Sequence, residues 1–168
     1  MSNSSDPLVS IIIPTYNHAV YLARALRSVL DQTYENWEAI IVDNHSNDDT
    51  DAVVKRFSDP RIGYLKIHND GIIAASRNLG VTAARGSWIA FLDSDDWWTA
   101  DKLATCSNYF NGDFDFIHHD LNLVYERPQF CRRGVTASRQ LKSPILHDLL
   151  VNGNAIVNST VIVRKKFI

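Results

Sequence analysis

Short aliphatic runs that alternate with helical patterns are the feature that most limits what this chain can fold into. The run at residues 8–13 is dense in aliphatic side chains, as in parallel strands that are covered on both faces. Further strands are predicted at residues 37–42, 61–67, 87–92, 114–118 and 155–163. Helices are predicted between them, after a cap at Asn17, after Thr50, and over residues 72–84, 99–110 and 144–150.

Strands that alternate with helices at this spacing predict an α/β protein with a mostly parallel central sheet. Right-handed crossover connections would place helices on both faces of the sheet, in three α/β/α layers. The 168 residues are enough for one domain with a sizeable core, which we predict over residues 8–168. Residues 1–7 are polar, and we predict a disordered tail there.

Composition excludes several classes of function. The formal net charge is −2, so nothing favours nucleic acid or an anionic membrane as a partner. No apolar run has the length of a membrane span, so any membrane contact would be peripheral. Cys106 and Cys131 lack the spacing of metal ligands and are expected to be reduced, structural thiols. We therefore expect a cytoplasmic protein, with any membrane contact at the inner face.

Polar clusters follow four of the predicted strands, at residues 14–17, 43–46, 68–71 and 93–96. Ligands of parallel sheets bind beyond the carboxyl ends of the strands, where such clusters would meet. The last cluster contains three carboxylates, Asp93, Asp95 and Asp96, directly after an apolar run. Because clustered carboxylates repel one another, this pattern indicates a divalent cation that serves a phosphorylated ligand. The alternative is a polar turn in which Asp96 caps the next helix.

Familiar phosphate-binding loops are absent from the sequence. No G-x-G-x-x-G follows the first strand, as a dinucleotide-binding domain would require, and no G-x-x-x-x-G-K-[ST] is present. A metal rather than a glycine loop is therefore expected to hold the phosphates.

Four blocks, in order, resemble the nucleotide-diphospho-sugar glycosyltransferases of family 2, which have the GT-A fold. The resemblance rests on VSIIIPTYN, QTYENWEAIIVDNHSNDDT and NDGIIAASRNLGVTAARGSWIAFLDSDD, and weakly on the closing STVIVRKKFI. It implies a Rossmann-like sheet and a metal-dependent enzyme that moves a sugar from a nucleotide-diphosphate donor, UDP-linked in our reading, to an acceptor hydroxyl with inversion. The implied acceptor is a carbohydrate or a lipid-linked molecule, as in polysaccharide biosynthesis.

The resemblance also implies roles for residues of the first two blocks. Thr15 would line the nucleotide pocket, with Tyr16 and Asn17 beside it. Asp43 would accept a hydrogen bond from the base, which suits a carboxylate because it is an acceptor only. The alternative for Asp43 is to cap the turn over residues 44–50.

Roles in the third block concern the diphosphate. Arg77 would meet it, since a guanidinium fork matches phosphate oxygens, whereas without the motif a solvated position or a pair with Asp70 is favoured. Asp93 would reach the ribose or the metal shell, and Asp95 would bind Mg²⁺ or Mn²⁺. Asn69 is a further candidate for the donor pocket.

Other polar and aromatic residues have simpler structural interpretations. His118, His119 and Asp120 are predicted to be a strand-end cluster lining the pocket rather than a metal site. One of Trp97 and Trp98 is expected to pack under the following helix, and the other could stack on a sugar. The basic stretch 127–139 is expected to be a solvated loop, with an acceptor-binding lid as the sharper alternative.

The second acidic motif of the family, which supplies the general base, is not found in the 168 residues. Loss of a positioned base removes roughly 10²–10⁴-fold in rate. A donor-binding fragment without transfer activity is therefore the alternative reading. Two other rivals are weaker. A sugar nucleotidyltransferase needs a Gly-rich, basic segment after the first strand, and an Asp-x-Asp phosphatase needs its nucleophile there.

Overall fold

The computed structural model describes residues 6–124, 134–136, 139 and 141–168, with backbone only at 134–136. A six-stranded sheet forms its centre, in the order β3-β2-β1-β4-β8-β5, and a separate two-stranded sheet pairs β6 with β7. The strands are β1 Val9–Thr15, β2 Trp37–Asp43, β3 Ile62–Lys66, β4 Trp88–Phe91, β5 Phe116–Ile117, β6 Leu121–Leu123, β7 Gly134–Thr136 and β8 Ile162–Arg164. The mostly parallel α/β sheet predicted from the sequence is confirmed.

Strand direction brings five strand ends to one edge of the sheet. β1 runs parallel to β2 and β4, and β2 runs parallel to β3. β8 is antiparallel to both β4 and β5, so β5 points the same way as the four parallel strands. The carboxyl ends of β1 to β5 and the start of β8 therefore lie at the same edge.

The first strand extends beyond the predicted run of residues 8–13, through Pro14 to Thr15. The Ile12 carbonyl accepts from the Leu92 N–H, so the backbone polar groups of residues 12 and 14 both point towards β4. Pairing with β4 ends at Ile12, however, so the N–H that proline lacks has no partner to bond there. β1 stays paired with β2 as far as Thr15.

Helices cover the sheet, and their bounds are α1 Ala19–Leu30, α2 Thr50–Arg56, α3 Ile73–Ala83, α4 Lys102–Ser107 and α5 Ile145–Asn152. The helix predicted over 99–110 is shorter, because Gln32 bonds the Thr99 carbonyl and the Leu103 N–H and so fixes its first turn. The strand predicted over 155–163 is wrong at its start, where a 3₁₀ turn, Asn158–Thr160, precedes β8.

Two apolar layers enclose the sheet. Ile11, Ile13 and Trp88 face a large core that includes the inner side of α1, with Leu22 and Leu26. The opposite face packs against α3, where Gly80 allows close approach to Ile12. No helix among the described residues is long and apolar enough to cross a membrane.

Candidate functional site

A cavity of about 410 Å³ opens at the carboxyl edge of the sheet. All four predicted polar clusters contribute to its wall, which includes Thr15, Asn44, Asn69, Ser76, Asp93 and Asp95. The convergence predicted from the ends of the strands is thus present in the structure.

Left-handed backbone marks three of these strand ends. Asn17, His45 and Asp70 have φ of 52°, 50° and 51°, and Gly71 follows at 79°. Asparagine, aspartate and histidine tolerate this region better than other side chains. The tight loops after β1, β2 and β3 therefore turn sharply, which keeps short polar side chains close to the sheet edge.

Thr15 and Tyr16 line the cavity, whereas Asn17 does not. Thr15 is buried, and its hydroxyl has no hydrogen-bond partner within the described part of the chain. The Tyr16 ring is half exposed beside it. Asn17 was predicted to cap α1, and this is wrong: its N–H donates to Ser46 Oγ at 2.9 Å and its side chain accepts from the Asn47 N–H.

The start of α1 is held instead by Asp48. Its carboxylate accepts from the Ala19 N–H at 2.9 Å and from the N–H and hydroxyl of Thr50. Burial opposes ionisation of Asp48, but the hydrogen bonds from Thr50 and Ala19 outweigh it and lower its pKa. The loop after β2 thus fixes the loop after β1.

Asp43 ends β2 as expected, but its side chain is buried and does not line the cavity, where Asn44 lies instead. The carboxylate accepts from the Ser46 N–H at 2.9 Å, from the Ser46 hydroxyl, and from the Tyr64 hydroxyl at 2.6 Å. Burial and this contact raise the pKa of Tyr64. Asp43 therefore makes the turn contacts that were its alternative role, and its contact with a base stays a prediction.

Asn69 is buried and lines the cavity. Its amide nitrogen donates to Ser76 Oγ at 2.8 Å, and its oxygen accepts from the Gly71 N–H at 3.0 Å. These bonds tie the loop after β3 to the first turns of α3.

Arg77 pairs with Asp93, not with Asp70. Its guanidinium lies 2.7 Å from Asp93 Oδ1, and both side chains are largely buried. Asn158 can accept from both terminal nitrogens of Arg77, at 2.7 and 3.0 Å. The Arg77 guanidinium is thereby fixed beside the loop that carries Asp93, Asp95 and Asp96, which we call the acidic loop. Its N–H groups are already oriented for hydrogen bonding.

The three carboxylates of the acidic loop face different surroundings. Asp95 is exposed at the cavity, and no described residue donates a hydrogen bond to its carboxylate. Asp96 turns away from that cavity and does not cap α4, which begins after Asp101. Burial raises the pKa of Asp96, a hydrogen bond with Ser159 opposes the shift, and the charges of Asp95 and Asp93 add to it.

Ser159 is a residue that the sequence reasoning missed. Its hydroxyl accepts from the Asp93 N–H at 3.0 Å, and its carbonyl accepts from Trp98 Nε1 at 2.9 Å and Lys102 Nζ at 2.8 Å. The closing STVIV segment was part of the family resemblance, but nothing local in it shows that it meets residues more than 55 positions away.

Within the described ranges, no three side chains of His, Cys, Asp or Glu form a ready-made metal site. Asp93 and Asp95 do supply two carboxylates to one cavity. Mg²⁺ is commonly bound through one or two carboxylates plus substrate phosphates. The donor set therefore fits an ion that arrives with a diphosphate.

The other residues singled out in the sequence are two tryptophans, a histidine pair and two cysteines. Trp98 is buried in the core, as expected for one of the two tryptophans, and Trp97 is 40% exposed. Burial lowers the pKa of His119, and its Nε2 has no hydrogen-bond partner in the described part of the chain.

Cys106 is a buried free thiol. Cys131, residues 1–5 and most of the stretch 127–139 lie outside the described residues, while Asp6 and Pro7 accept hydrogen bonds from Asn36 and Tyr34.

Solved structures with the same fold include TarS of S. aureus and a mannosyltransferase. The TarS fragment 1–349 of S. aureus, solved in complex with UDP, matches 94% of this chain and 46% of its own, with a TM-score of 0.74 and 22% identity. The mannosyltransferase PcManGT of Pyrobaculum calidifontis, solved with GDP-Man and Mn²⁺, matches 97% and 46%, with a TM-score of 0.67 and 20% identity. These likenesses confirm the GT-A fold.

Sequence relatives are more similar. The chain is 47% identical over 98 residues to an Escherichia coli protein, UDP-Glc:alpha-D-GlcNAc-diphosphoundecaprenol beta-1,3-glucosyltransferase WfgD, matching 58% of this chain and 39% of WfgD. The putative colanic acid biosynthesis glycosyl transferase WcaA of E. coli K12 is 42% identical over 168 aligned positions, matching 92% of this chain and 56% of WcaA. The chain thus spans roughly two fifths to just over half of these relatives. The family model for glycosyl transferase family 2 matches residues 10–161, and the chain belongs to that family.

Proposed function

We propose that this chain binds the donor in a metal-dependent glycosyltransferase that moves a sugar from UDP to an acceptor hydroxyl with inversion. The observation that carries the proposal is the cavity at the carboxyl edge, where Asp95 is exposed and Asp93 is paired with Arg77. Carboxylates for an ion and a guanidinium for phosphate oxygens suit a diphosphate at one place.

The nucleoside half of the donor would lie over the loops after β1 to β3. Thr15 offers a buried hydroxyl without a protein partner, and buried polar groups usually have one. Tyr16 offers a half-exposed ring, and Asn69 an ordered amide beside it. Asp43 would reach the base only if Ser46 moved, so we assign it to holding the Asn44 loop in shape, with a direct contact as the alternative.

The diphosphate half would lie between Arg77 and the acidic loop. Asp95, with Asp93 beside it, would hold Mg²⁺ or Mn²⁺. Such an ion neutralises charge that builds up on the departing diphosphate, which is worth several kcal/mol in the transition state. Arg77 can then turn one of its N–H groups from Asp93 to a phosphate oxygen without leaving its place.

The names of the relatives support a UDP-sugar donor and a carbohydrate or lipid-linked acceptor. WfgD is named for UDP-Glc, TuaG of Bacillus subtilis for teichuronic acid biosynthesis and WcaA for colanic acid biosynthesis. TarS 1–349 has been solved with UDP-GlcNAc as well as UDP. We propose the same chemical class here, in a protein that acts in the cytoplasm or at the inner face of the membrane.

Titration calorimetry with UDP, GDP and dTDP, with and without Mn²⁺, tests the proposal. We expect UDP to bind best and to require the metal. Asp95→Ala should weaken this binding at least about tenfold, which corresponds to about 1.4 kcal/mol. Asp113→Ala, which removes an exposed carboxylate just before β5 at the opposite edge, is the control and should bind like wild type. Equal UDP affinity with and without Mn²⁺ would refute the metal-bound donor.

The second candidate is a donor-binding fragment without transfer activity, favoured because no second acidic motif is found in the sequence. Sugar transfer by the 168-residue chain, measured with UDP-glucose and a sugar acceptor, separates the two. Turnover at rates of about 1 s⁻¹ or faster would refute the inactive reading.

A further inference from the structure

The acidic loop is a tight turn that is held by more than one element of the fold. The Asp96 N–H donates to the Asp93 carbonyl at 3.0 Å, so residues 94 and 95 are the central positions of a β-turn. Ser159 fixes the start of this turn, because its hydroxyl accepts from the Asp93 N–H. The residues that follow are held by the helix α1.

Two side chains of α1 bond the backbone of this segment. Arg24 and Ser28 lie four positions apart, which places them on the same side of a helix. The Arg24 guanidinium donates to the Asp95 carbonyl at 2.9 Å, and Ser28 Oγ accepts from the Trp98 N–H at 3.1 Å. One side of α1 therefore lies along the second half of the acidic loop.

We propose that Arg24 is a positioning residue for the carboxylate of Asp95. The inference rests on the proposed function, since it concerns how the same site is prepared for its ion. Arg24 bonds the carbonyl of Asp95 itself, which limits rotation of the peptide plane that follows this residue. Because the allowed rotamers of a side chain depend on its backbone angles, Arg24 restricts where the carboxylate can point.

Trp97 gives Arg24 a second contact with the same loop. The guanidinium carbon lies 3.7 Å from the centre of the Trp97 ring, inside the distance of about 6 Å at which a cation is attracted to an aromatic face. Arg24 is exposed, so this contact limits a side chain that would otherwise adopt many rotamers. A planar guanidinium can stack on the ring and donate from its edge at the same time, whereas the ammonium of lysine has no such plane.

The charge of Arg24 also acts on the acidic loop. Its contacts with Asp95 and Trp97 are to a carbonyl and an indole ring, so neither contact cancels the positive charge. Burial raises the pKa of Asp96, the charges of Asp95 and Asp93 add to this rise, and Arg24 opposes it. A cation at this place therefore reduces the repulsion among the carboxylates, and the loop needs less rearrangement when an ion binds.

The plainer interpretation is a surface arginine that only covers an aromatic ring. Arg27 provides the comparison, because it lies three positions further along α1, is also exposed, and lies 5.8 Å from the centre of the Phe57 ring. Its surroundings are a cavity between α1 and α2, away from the acidic loop. Coverage of a ring would give the two arginines the same importance, whereas positioning of Asp95 is specific to Arg24.

The test compares Arg24→Ala and Arg24→Lys with wild type, and Arg27→Ala is the matched control. Electron paramagnetic resonance measures Mn²⁺ binding in the presence of UDP, and NMR measures the affinity for uridine, which has no phosphates, without metal. We expect Arg24→Ala to raise the Mn²⁺ concentration at half-saturation about tenfold or more, and to leave the affinity for uridine within about twofold of wild type. Arg24→Lys keeps the charge and should recover part of the Mn²⁺ affinity, while Arg27→Ala should bind both ligands like wild type.

A further measurement needs no ligand. In the ¹⁵N-labelled, metal-free chain, the indole N–H signal of Trp97 should move in Arg24→Ala and keep its position in Arg27→Ala. This signal reports directly on the contact between Arg24 and the acidic loop.

Three results would overturn the inference. Arg24→Ala could bind Mn²⁺ with UDP like wild type, or leave the Trp97 signal unmoved. It could also weaken uridine and Mn²⁺ binding equally, which would show that Arg24 supports the whole fold rather than Asp95. Failure of the proposed function looks different, because the wild-type chain itself would then bind no Mn²⁺ in the presence of UDP, and the inference would fall with it.

Discussion

The parallel part of the sheet, β1 to β4, and its extension, β8 with β5, differ in the contacts that they make near the acidic loop, although β8 also buries Ile162 and Val163 in the core. Each of the first two strands is buried at all seven positions, and the large core on one face holds Ile11, Ile13 and Trp88. The extension adds short strands whose main contacts near the site are polar, through Ser159 and Asn158. We infer that the parallel part supplies most of the buried core and that the extension sets the geometry of the acidic loop.

Trp88→Ala should have the largest effect, because it removes a fully buried indole that stacks on Phe110 with ring centres 4.5 Å apart. Loss of such a side chain costs about 3–5 kcal/mol of unfolding free energy. Urea denaturation measures the change, with Trp97→Ala as the matched control, since that ring is 40% exposed. A loss of less than about 1 kcal/mol for Trp88→Ala would show that burial in the parallel part is not what stabilises the fold.

Lys102→Met should change stability in the opposite direction. Burial lowers the pKa of Lys102 to about 7. Below about pH 7 Lys102 is protonated in both the folded and the unfolded chain, so desolvation of the ammonium destabilises the folded protein to its full extent. Between about pH 7 and 10.5 the unfolded chain binds a proton that the folded chain has released, so this group makes the free energy of unfolding rise with pH.

Methionine at position 102 removes the charge while keeping most of the buried volume. We expect the variant to be more stable at about pH 6 by roughly 1–4 kcal/mol and to lose the rise above pH 7. Urea denaturation at several pH values measures both, and Lys55→Met, at an exposed helix position, is the control. An unchanged pH slope in Lys102→Met would show that Lys102 is not the group responsible.

The sequence predicts the parallel part well and the extension poorly. Strand and helix order follow from patterns within about ten residues, and the carboxyl ends of the strands necessarily share an edge. The pairing of Arg77 with Asp93, rather than Asp70, depends on where α3 lies relative to the loop after β4. The contacts of Ser159 depend on β8 inserting between β4 and β5. Periodicity carries no information about either arrangement.

Asp43 illustrates the same limit inside a well-predicted strand. Its place at the end of β2 follows from the sequence, but its hydrogen bonds come from Ser46 and from Tyr64, which is 21 positions away on the neighbouring strand. The orientation of a side chain at a strand end is decided by such neighbours.

Ser159→Ala tests the extension directly. It removes the acceptor of the Asp93 N–H and the hydrogen bond to Asp96, and we expect a loss of about 1–2 kcal/mol in unfolding free energy. Affinity for UDP with Mn²⁺ should fall about tenfold, because the acidic loop loses its anchor. Ser159→Thr keeps a hydroxyl and should restore part of the affinity, whereas Ser107→Ala, which loses only a bond within α4, should change neither quantity. A stability loss with unchanged affinity would mean that the extension does not set the loop geometry.

Asp48→Asn should change stability least, and it tests a polar contact within the parallel part that also positions a loop. Partial desolvation raises the pKa of Asp48, which is an exposed residue, but the hydrogen bonds from Thr50 and from the Ala19 N–H lower it overall. Its stabilisation is therefore present above the ordinary value of 3.8 and is lost as the pH falls through the lowered folded value. We expect the variant to lose about 1 kcal/mol at pH 6, as for a helix cap, and to come progressively closer to wild type as the pH falls below 3.8. Asp49→Asn is the control, because the Asp49 side chain makes no capping bond to α2. An equal difference in unfolding free energy between variant and wild type at pH 6 and below pH 3.8 would show that the amide substitution acts through shape rather than through the carboxylate charge.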